Sequence, residues 1–396
     1  MEHETDEPTS LGPMFTAAYV FAVVMMGTTL PTPLYPRFQH AYGFGSAVTT
    51  VLFSVYAVGV IAGLVLFGRM SESVGRKPML WLGLALSVAS AVAFLIGGQM
   101  WLLYLGRVLS GLAAGVFTST GTVTVIGNAP PSRLPLAAAV ATAANMGGLG
   151  SGILMAGLVA PIVPDALFDP FLIHLALLVV AGIALFWVHD TPPTRSGLSL
   201  QLPGLPEGSR RVFLAATPGA IAGFALMGVY SAVAPNLLAD HLDVASSAVI
   251  GIVLALTFLS SAVAQIALRS LADRRLLQIG LPVMVVSTVL LVVALLASSV
   301  PILVLAVILT GAGQGLTFLA GMRSLAQVTP PHERANVTTS YFVLAYLCIS
   351  VPSIATGLIA IPLGLVTATV IAVTVFAVTA LSGLPLTGRI GSGHIG

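Results

Sequence analysis

The side chains able to do chemistry are few, and their placement narrows what they can do. The 396 residues hold 13 acidic, 15 basic and 7 histidine side chains and one cysteine, Cys348. The acidic residues fall outside the middle of every long apolar run: Glu2, Glu4, Asp6 and Glu7 near the start, Asp165, Asp169, Asp240 and Asp243 in one set of connections, and the remainder at the other set. One cation departs from this rule. Arg107 stands inside the fourth apolar run, where an ionised group costs about 2.5–3.5 kcal/mol on insertion scales and is expected to face a bundle interior or a wet cavity. The competing reading is an arginine that snorkels to the surface along its aliphatic stem. If protons are handled, the candidate groups are Glu72, Asp165, Asp169, His174 and Asp240, with Arg107 tuning a neighbour. A phosphate-cradling Gly-x-x-x-x-Gly-Lys-Ser/Thr loop, an HExxH pair and a metal-spaced Cys/His cluster are all missing from the sequence. Neither a built-in ATPase, a metal, a cofactor, a nucleic-acid partner nor enzyme chemistry is therefore expected.

The elements that must position these groups are set by composition. Hydrophobic residues make up 57% and charged residues 7% of the chain, against roughly 25% charged in a soluble domain. So few charges cannot cover a water-facing surface, and lipid is the expected solvent. Apolar runs of about 20 residues fall at roughly 14–36, 46–69, 78–97, 100–127, 134–161, 170–188, 213–236, 246–269, 276–297, 300–326, 333–360 and 362–385. They are too long, and alternate too little, for an outer-membrane barrel. The expectation is an all-α membrane protein of twelve transmembrane helices. Its parts are an N-tail (1–13), a first six-helix bundle (14–188), a Pro- and Gly-bearing linker (189–212), a second bundle (213–385) and a C-tail (386–396). The acidic start lacks the positive charge of a signal peptide and reads as a short soluble tail.

With the N-terminus placed in the cytoplasm, Arg69, Arg76, Lys77, Arg133, Arg195, Arg210, Arg211, Arg269, Arg274, Arg275, Arg323, Arg334 and Arg389 all fall on the inner side and Arg37 falls outside. That is a strong positive-inside bias, and it places both termini in the cytoplasm. The two halves also echo each other. Pro130-Pro131-Ser132-Arg133 returns as Pro330-Pro331-His332-Glu333-Arg334, Gly111 and Gly115 as Gly311 and Gly315, and Met70-Ser71-Glu72 as Leu271-Ala272-Asp273. Three matches in register point to duplication. An even number of helices per half relates the halves by an axis along the membrane normal.

The turn Gly68-Arg69-Met70-Ser71-Glu72-Ser73-Val74-Gly75-Arg76-Lys77 resembles the signature loop of the major facilitator superfamily, Gly-x-Leu-Ala-Asp-Arg-x-Gly-Arg-Arg/Lys. Gly68, Gly75, Arg76 and Lys77 match, Glu72 stands in for Asp, and Ser73 replaces Arg. The resemblance implies an inner gate formed by this loop and its echo at Asp273. It also implies a proton-linked role for Arg107, and an exporter-type packing motif in the fifth segment, where Ile153 holds the Pro position and Ala156 the first Gly of the closing pair. Physically, Gly75 can take a positive φ. Gly148 and Gly152, like Gly111 and Gly115, form small-residue faces that let helices approach closely.

In this superfamily the first, fourth, seventh and tenth helices line a central cavity. The side chains expected there are Tyr19, Met26, Arg107, Phe117, Met227, Tyr230, Gln314 and Phe318, with Asn145, Tyr341 and Tyr346 adding polar tips. Such a set suits amphipathic solutes. The reading is a monomeric bacterial inner-membrane secondary transporter, most like the drug/proton antiporters, that exports small amphipathic compounds by alternating access with a proton gradient as its energy source. The alternatives are a metabolite uptake symporter or facilitator of the same fold and, from another class, a membrane sensor or membrane enzyme.

Overall fold

The computed structural model describes residues 10–190, 202–244, 246–330 and 333–389. The acidic residues of the N-tail, Arg195 with residues 191–201 of the linker, the Pro331-His332 part of the echo and the end of the C-tail lie outside these residues. Among the described residues there are helices and no strands. The long helices are α1 (Gly12–Thr29), α2 (Ser46–Phe67), α3 (Arg76–Ile96), α4 (Met100–Gly127), α5 (Leu134–Val159), α6 (Asp169–Leu185), α7 (Glu207–Asn236), α8 (Ser247–Ala267), α9 (Asp273–Leu296), α10 (Val300–Val328), α11 (Arg334–Leu363) and α12 (Leu365–Gly383). Among the described residues, eleven segments are long and apolar enough to cross a membrane. The sixth, α6, has 17 residues, about 26 Å at 1.5 Å per residue, which is the short limit for a span.

The first segment departs from expectation. Its helix stops at Thr29, passes through a 3-10 turn at Thr32–Leu34, and resumes as Tyr35–Tyr42. Pro31, Pro33 and Pro36 explain this, because each removes a backbone donor and the residue before a proline is pushed away from helical geometry. Gly75 has φ +100° between the short helix Met70–Val74 and α3. That conformation strains any residue with a Cβ.

The helices form two six-helix bundles, α1–α6 and α7–α12, with corresponding contacts. In the first, α4 lies on α2: a Cβ at Gly115 would meet Gly63 Cα at 2.8 Å, and one at Gly111 would meet Gly59 Cα at 2.9 Å. In the second, α10 lies on α8: a Cβ at Gly315 would lie 2.6 Å from the Ser261 carbonyl oxygen, and one at Gly311 would meet the Thr257 backbone. Gly148 and Gly152 seat α5 on α1: a Cβ at Gly148 would lie 2.6 Å from the Ala22 carbonyl oxygen and one at Gly152 2.7 Å from Thr29 Oγ1. Without a hydrophobic driving force between helices in lipid, close backbone approach of this kind supplies the packing energy. Large apolar side chains such as Ile162, Leu296, Phe186 and Trp187 remain exposed on the outer surface, as a lipid-facing belt requires. The halves meet along α2/α11 and α5/α8.

Candidate functional site

Between the halves, at the end of the bundle that carries the Gly68–Lys77 loop, lies a cavity of about 500 Å³. Its mouth is set by Glu72, Arg76 and Arg334, and its sides by Thr118, Thr122, Asn145, Gln265, Phe318 and Phe342. Thr118, Asn145, Met146, Phe318 and Phe342 also border a narrower chamber of about 60 Å³ deeper in. That chamber adds Thr28, Phe53, Tyr56, Met227, Phe258 and Tyr346, among others. The two spaces form one path from the loop end to the middle of the molecule.

The opposite end is closed by contacts across the halves. Gln39 Nε2 donates across to Asn236 Oδ1 (3.1 Å) while held within its own half by Thr49 Oγ1 (2.8 Å), and Arg37 Nε donates across to Ser247 Oγ (3.1 Å). A Cβ at Gly157 would lie 2.7 Å from Gly251 Cα, and one at Gly357 would lie 3.1 Å from Thr50 Cβ. The backbone of α5 thus rests on that of α8, and α11 rests on α2. The molecule is open at one end and sealed at the other.

Of the side chains expected in the cavity, Asn145, Met227, Phe318 and Tyr346 line it. The others lie behind its walls. Phe117 stacks on Phe21 (6.0 Å) inside the first bundle. Tyr341 stands behind Phe318, ring to ring at 6.0 Å. Tyr230 sits over a separate small void. Gln314 accepts from Ser261 Oγ (2.8 Å), which in turn receives Gln265 Nε2 (3.1 Å) from the cavity wall. Tyr19 points at the Leu177 carbonyl (3.5 Å), between α1 and α6. Met26 does not line the cavity; its backbone receives Gly152. Helices uniformly apolar around their circumference carry no stripe that fixes rotation, so the inward face could not be assigned residue by residue. The aromatic residues Phe53, Tyr56, Phe258 and Phe342, absent from the expected set, line the site from α2, α8 and α11. A tyrosine in the middle of an apolar run, as at Tyr56, was the available signal.

Arg107 is 1% exposed, so the snorkelling alternative does not hold. Its Nη1 donates to the Thr28 carbonyl (2.6 Å) and its Nε to the Leu52 carbonyl (3.3 Å). Its guanidinium carbon stands 4.5 Å from the Tyr56 ring centroid and 5.7 Å from that of Phe53. Nη2 has no hydrogen-bond partner among the described residues. The side chain does not itself line the cavity. It sits behind Thr28, Phe53 and Tyr56, which do. Down the same face of α4, Gly111 and Gly115 pack on α2 while Thr118 and Thr122 reach the cavity.

The other candidates for charge coupling are spread out. Glu72 is at the cavity mouth. Asp165 and Asp169 close their own turn, with Asp169 Oδ2 accepting from Asp165 N (2.9 Å) and Asp165 Oδ1 from Leu167 N (3.0 Å). Asp240 lies in the turn after α7, away from the cavity. His174 is buried against Gly27 and bonds the Val23 carbonyl (2.9 Å), tying α6 to α1. In the second half, Asp273 opens α9 and pairs with Arg323 Nε of α10 at 3.2 Å, with Ser324 Oγ donating to it at 3.0 Å. Arg323 also donates to the Arg269 carbonyl (2.8 Å). In the first half, Arg76 of α3 donates to the Val123 carbonyl of α4 (3.1 Å). Asp190, which the motif did not single out, accepts the Lys77 backbone N–H (3.0 Å) while Lys77 Nζ reaches the Phe186 carbonyl (3.0 Å). Each half therefore binds its loop to its fourth helix by a different charged group. Among the described residues no His, Cys, Asp and Glu cluster has metal-site geometry.

Comparisons with known proteins fit this architecture. The family profile described as Major Facilitator Superfamily matches residues 17–232 and 216–389. The tetracycline resistance protein, class B, of Escherichia coli is 24% identical over 192 residues, 48% of this chain and 47% of that protein. The chain thus spans about half the length of that relative. The chloramphenicol resistance protein CraA of Acinetobacter baumannii is 25% identical over 327 residues, 78% of this chain and 76% of the relative. Among solved structures, a POT family transporter in complex with 5-aminolevulinic acid superposes with TM-score 0.77 at 14% identity, covering 97% of each chain. The human organic anion transporter MFSD10 does so with TM-score 0.72 at 16% identity, over 96% of this chain and 100% of that one. At these identities the structural likeness establishes the fold.

Proposed function

The chain belongs to the major facilitator superfamily, and from that premise we propose that it exports small amphipathic compounds by alternating access, coupled to proton flow. Membership makes it a multi-pass membrane transporter of small molecules. The finer reading concerns direction, cargo and driving force. It places the loop end and both termini in the cytoplasm of a bacterial inner membrane, with the chain acting as a monomer and without enzyme chemistry of its own.

One observation carries the proposal. A cavity lined by Phe, Tyr, Met and Asn lies between the halves, open at the loop end and sealed at the other by Gln39–Asn236, Arg37–Ser247 and the α5/α8 backbone contact. Rocking one bundle against the other opens the sealed end and closes the mouth, which is the alternation such a fold performs. The drug-resistance relatives support export as the direction. Glu72 is the carboxylate lining the mouth, and it is the group best placed to take up or release a proton as the mouth closes.

The test uses inside-out vesicles containing the protein, an imposed pH gradient, and a panel that includes tetracycline and chloramphenicol. Export predicts uptake into the vesicles that collapses when the gradient is dissipated. Flux that ignores the gradient removes the proton coupling, and gradient-driven flux in the reverse direction removes export.

A further inference from the structure

The two walls of the inner chamber differ in chemistry. The second half supplies rings: Phe318 stands edge-on to Phe224 (5.5 Å) and tilted against Phe342 (5.8 Å). The first half adds the rings of Phe53 and Tyr56 but also hydroxyl and amide groups from Thr28, Thr118 and Asn145. The buried Asn145 Oδ1 finds no hydrogen-bond partner among the described residues. An unmet buried amide oxygen is costly and marks a place where a ligand N–H or O–H can donate. Thr118, Asn145, Phe318 and Phe342 border both the narrow chamber and the wider cavity, so a flat ring lying in the cavity can set its edge at the junction of the two.

Charge sharpens this. Among the described residues no carboxylate lines the inner chamber. Just behind its first-half wall, one ring's thickness away across Tyr56, stands the Arg107 guanidinium, its Nη2 without a partner. A charge held away from water projects its field through low-dielectric surroundings with little screening. An aromatic wall alone would attract organic cations through its ring faces. The uncompensated Arg107 opposes that attraction and favours electron-rich oxygen on the cargo. Resting on the export reading above, we infer that the junction of cavity and chamber selects planar aromatic compounds that are neutral or anionic, with an N–H or O–H of the cargo donating to Asn145 Oδ1, a cargo oxygen accepting from the Thr118 hydroxyl and the ring against Phe318 and Phe342, and that it rejects organic cations.

The test is equilibrium binding to the purified full chain in detergent with three probes that share one ring system: 2-naphthoate, 2-naphthamide and 2-naphthylmethylammonium. The naphthoate and naphthamide bind, and the ammonium binds at least about tenfold more weakly, as expected for a like charge at short range in a partly screened site. Asn145→Ala weakens the naphthamide severalfold, and Arg107→Gln narrows the gap between naphthoate and ammonium. If Arg107→Gln does not fold, the order of the three probes on the wild-type protein decides alone. Ammonium binding as tight as naphthoate binding, or no saturable naphthoate binding, overturns the inference. Vesicle flux of other compounds alongside that result leaves export standing, whereas absence of flux for every compound removes the export reading itself.

Discussion

Replacing Gly251 with valine tests whether the sealed end opens during the cycle. A Cβ at Gly251 would lie 2.8 Å from Gly157 Cα and 3.0 Å from the Ile153 carbonyl, so the branch meets backbone that cannot rotate away. Overpacking of this kind costs about 1–3 kcal/mol, charged to the shape in which α5 and α8 touch here. In the opposite shape the contact is released, so the ratio of the two shapes moves by roughly five- to 140-fold. The assay places single cysteines in a Cys348→Ser background and measures their rate of reaction with a membrane-impermeant maleimide. Thr32 is wholly buried at the sealed end and Thr142 lines the open cavity. Gly251→Val is expected to speed labelling of Thr32→Cys and slow that of Thr142→Cys. Gly111→Ala is the control, because its new methyl group strains α4 against α2 within one half and leaves the ratio alone. A folded Gly251→Val protein with both labelling rates unchanged would refute the reasoning.

Asp273→Asn is expected to lower thermal stability in detergent by about 1–3 kcal/mol, less than a wholly buried pair because Arg323 is 35% exposed; no shift in melting would mean that the pair does not hold the loop to α10. His174→Gln keeps a donor for the Val23 carbonyl and should leave the pH profile of vesicle flux unchanged between about pH 6 and 8. A displaced profile would instead give His174 a part in coupling. Asp190→Ala removes the acceptor of the Lys77 backbone N–H, and a loss of about 1 kcal/mol in unfolding free energy is expected. Equal stability of variant and parent would show that Asp190 does not anchor the loop.

Much of the architecture could be read from residue patterns because lipid imposes coarse rules. The α4 run of 100–127 matches the helix Met100–Gly127 end to end. The expected glycine echo is matched by α4 resting on α2 and α10 on α8. The first span, expected over 14–36, lies within Gly12–Tyr42, with a local break at Pro31 and Pro33 that hydropathy alone does not reveal. The site was harder. Asn145 and Phe318 face the cavity, while Phe117, Tyr230 and Tyr341 turn into their own bundles. Nothing in a helix that is apolar all round distinguishes those directions until neighbouring helices are placed. Arg107 was legible as an oddity, yet its seat behind Tyr56 depends on α1, α2 and α4 meeting at one point.

The central claim is that cargo passes only if the end sealed by α2 and α11 comes apart. A Cβ at Gly357 would lie 3.1 Å from Thr50 Cβ, close enough for a Thr50→Cys, Gly357→Cys pair to form a disulfide after slight adjustment. In a Cys348→Ser background, vesicle flux of the best-transported compound should vanish when this pair is oxidised and return when it is reduced. Full flux through the oxidised protein would contradict the account.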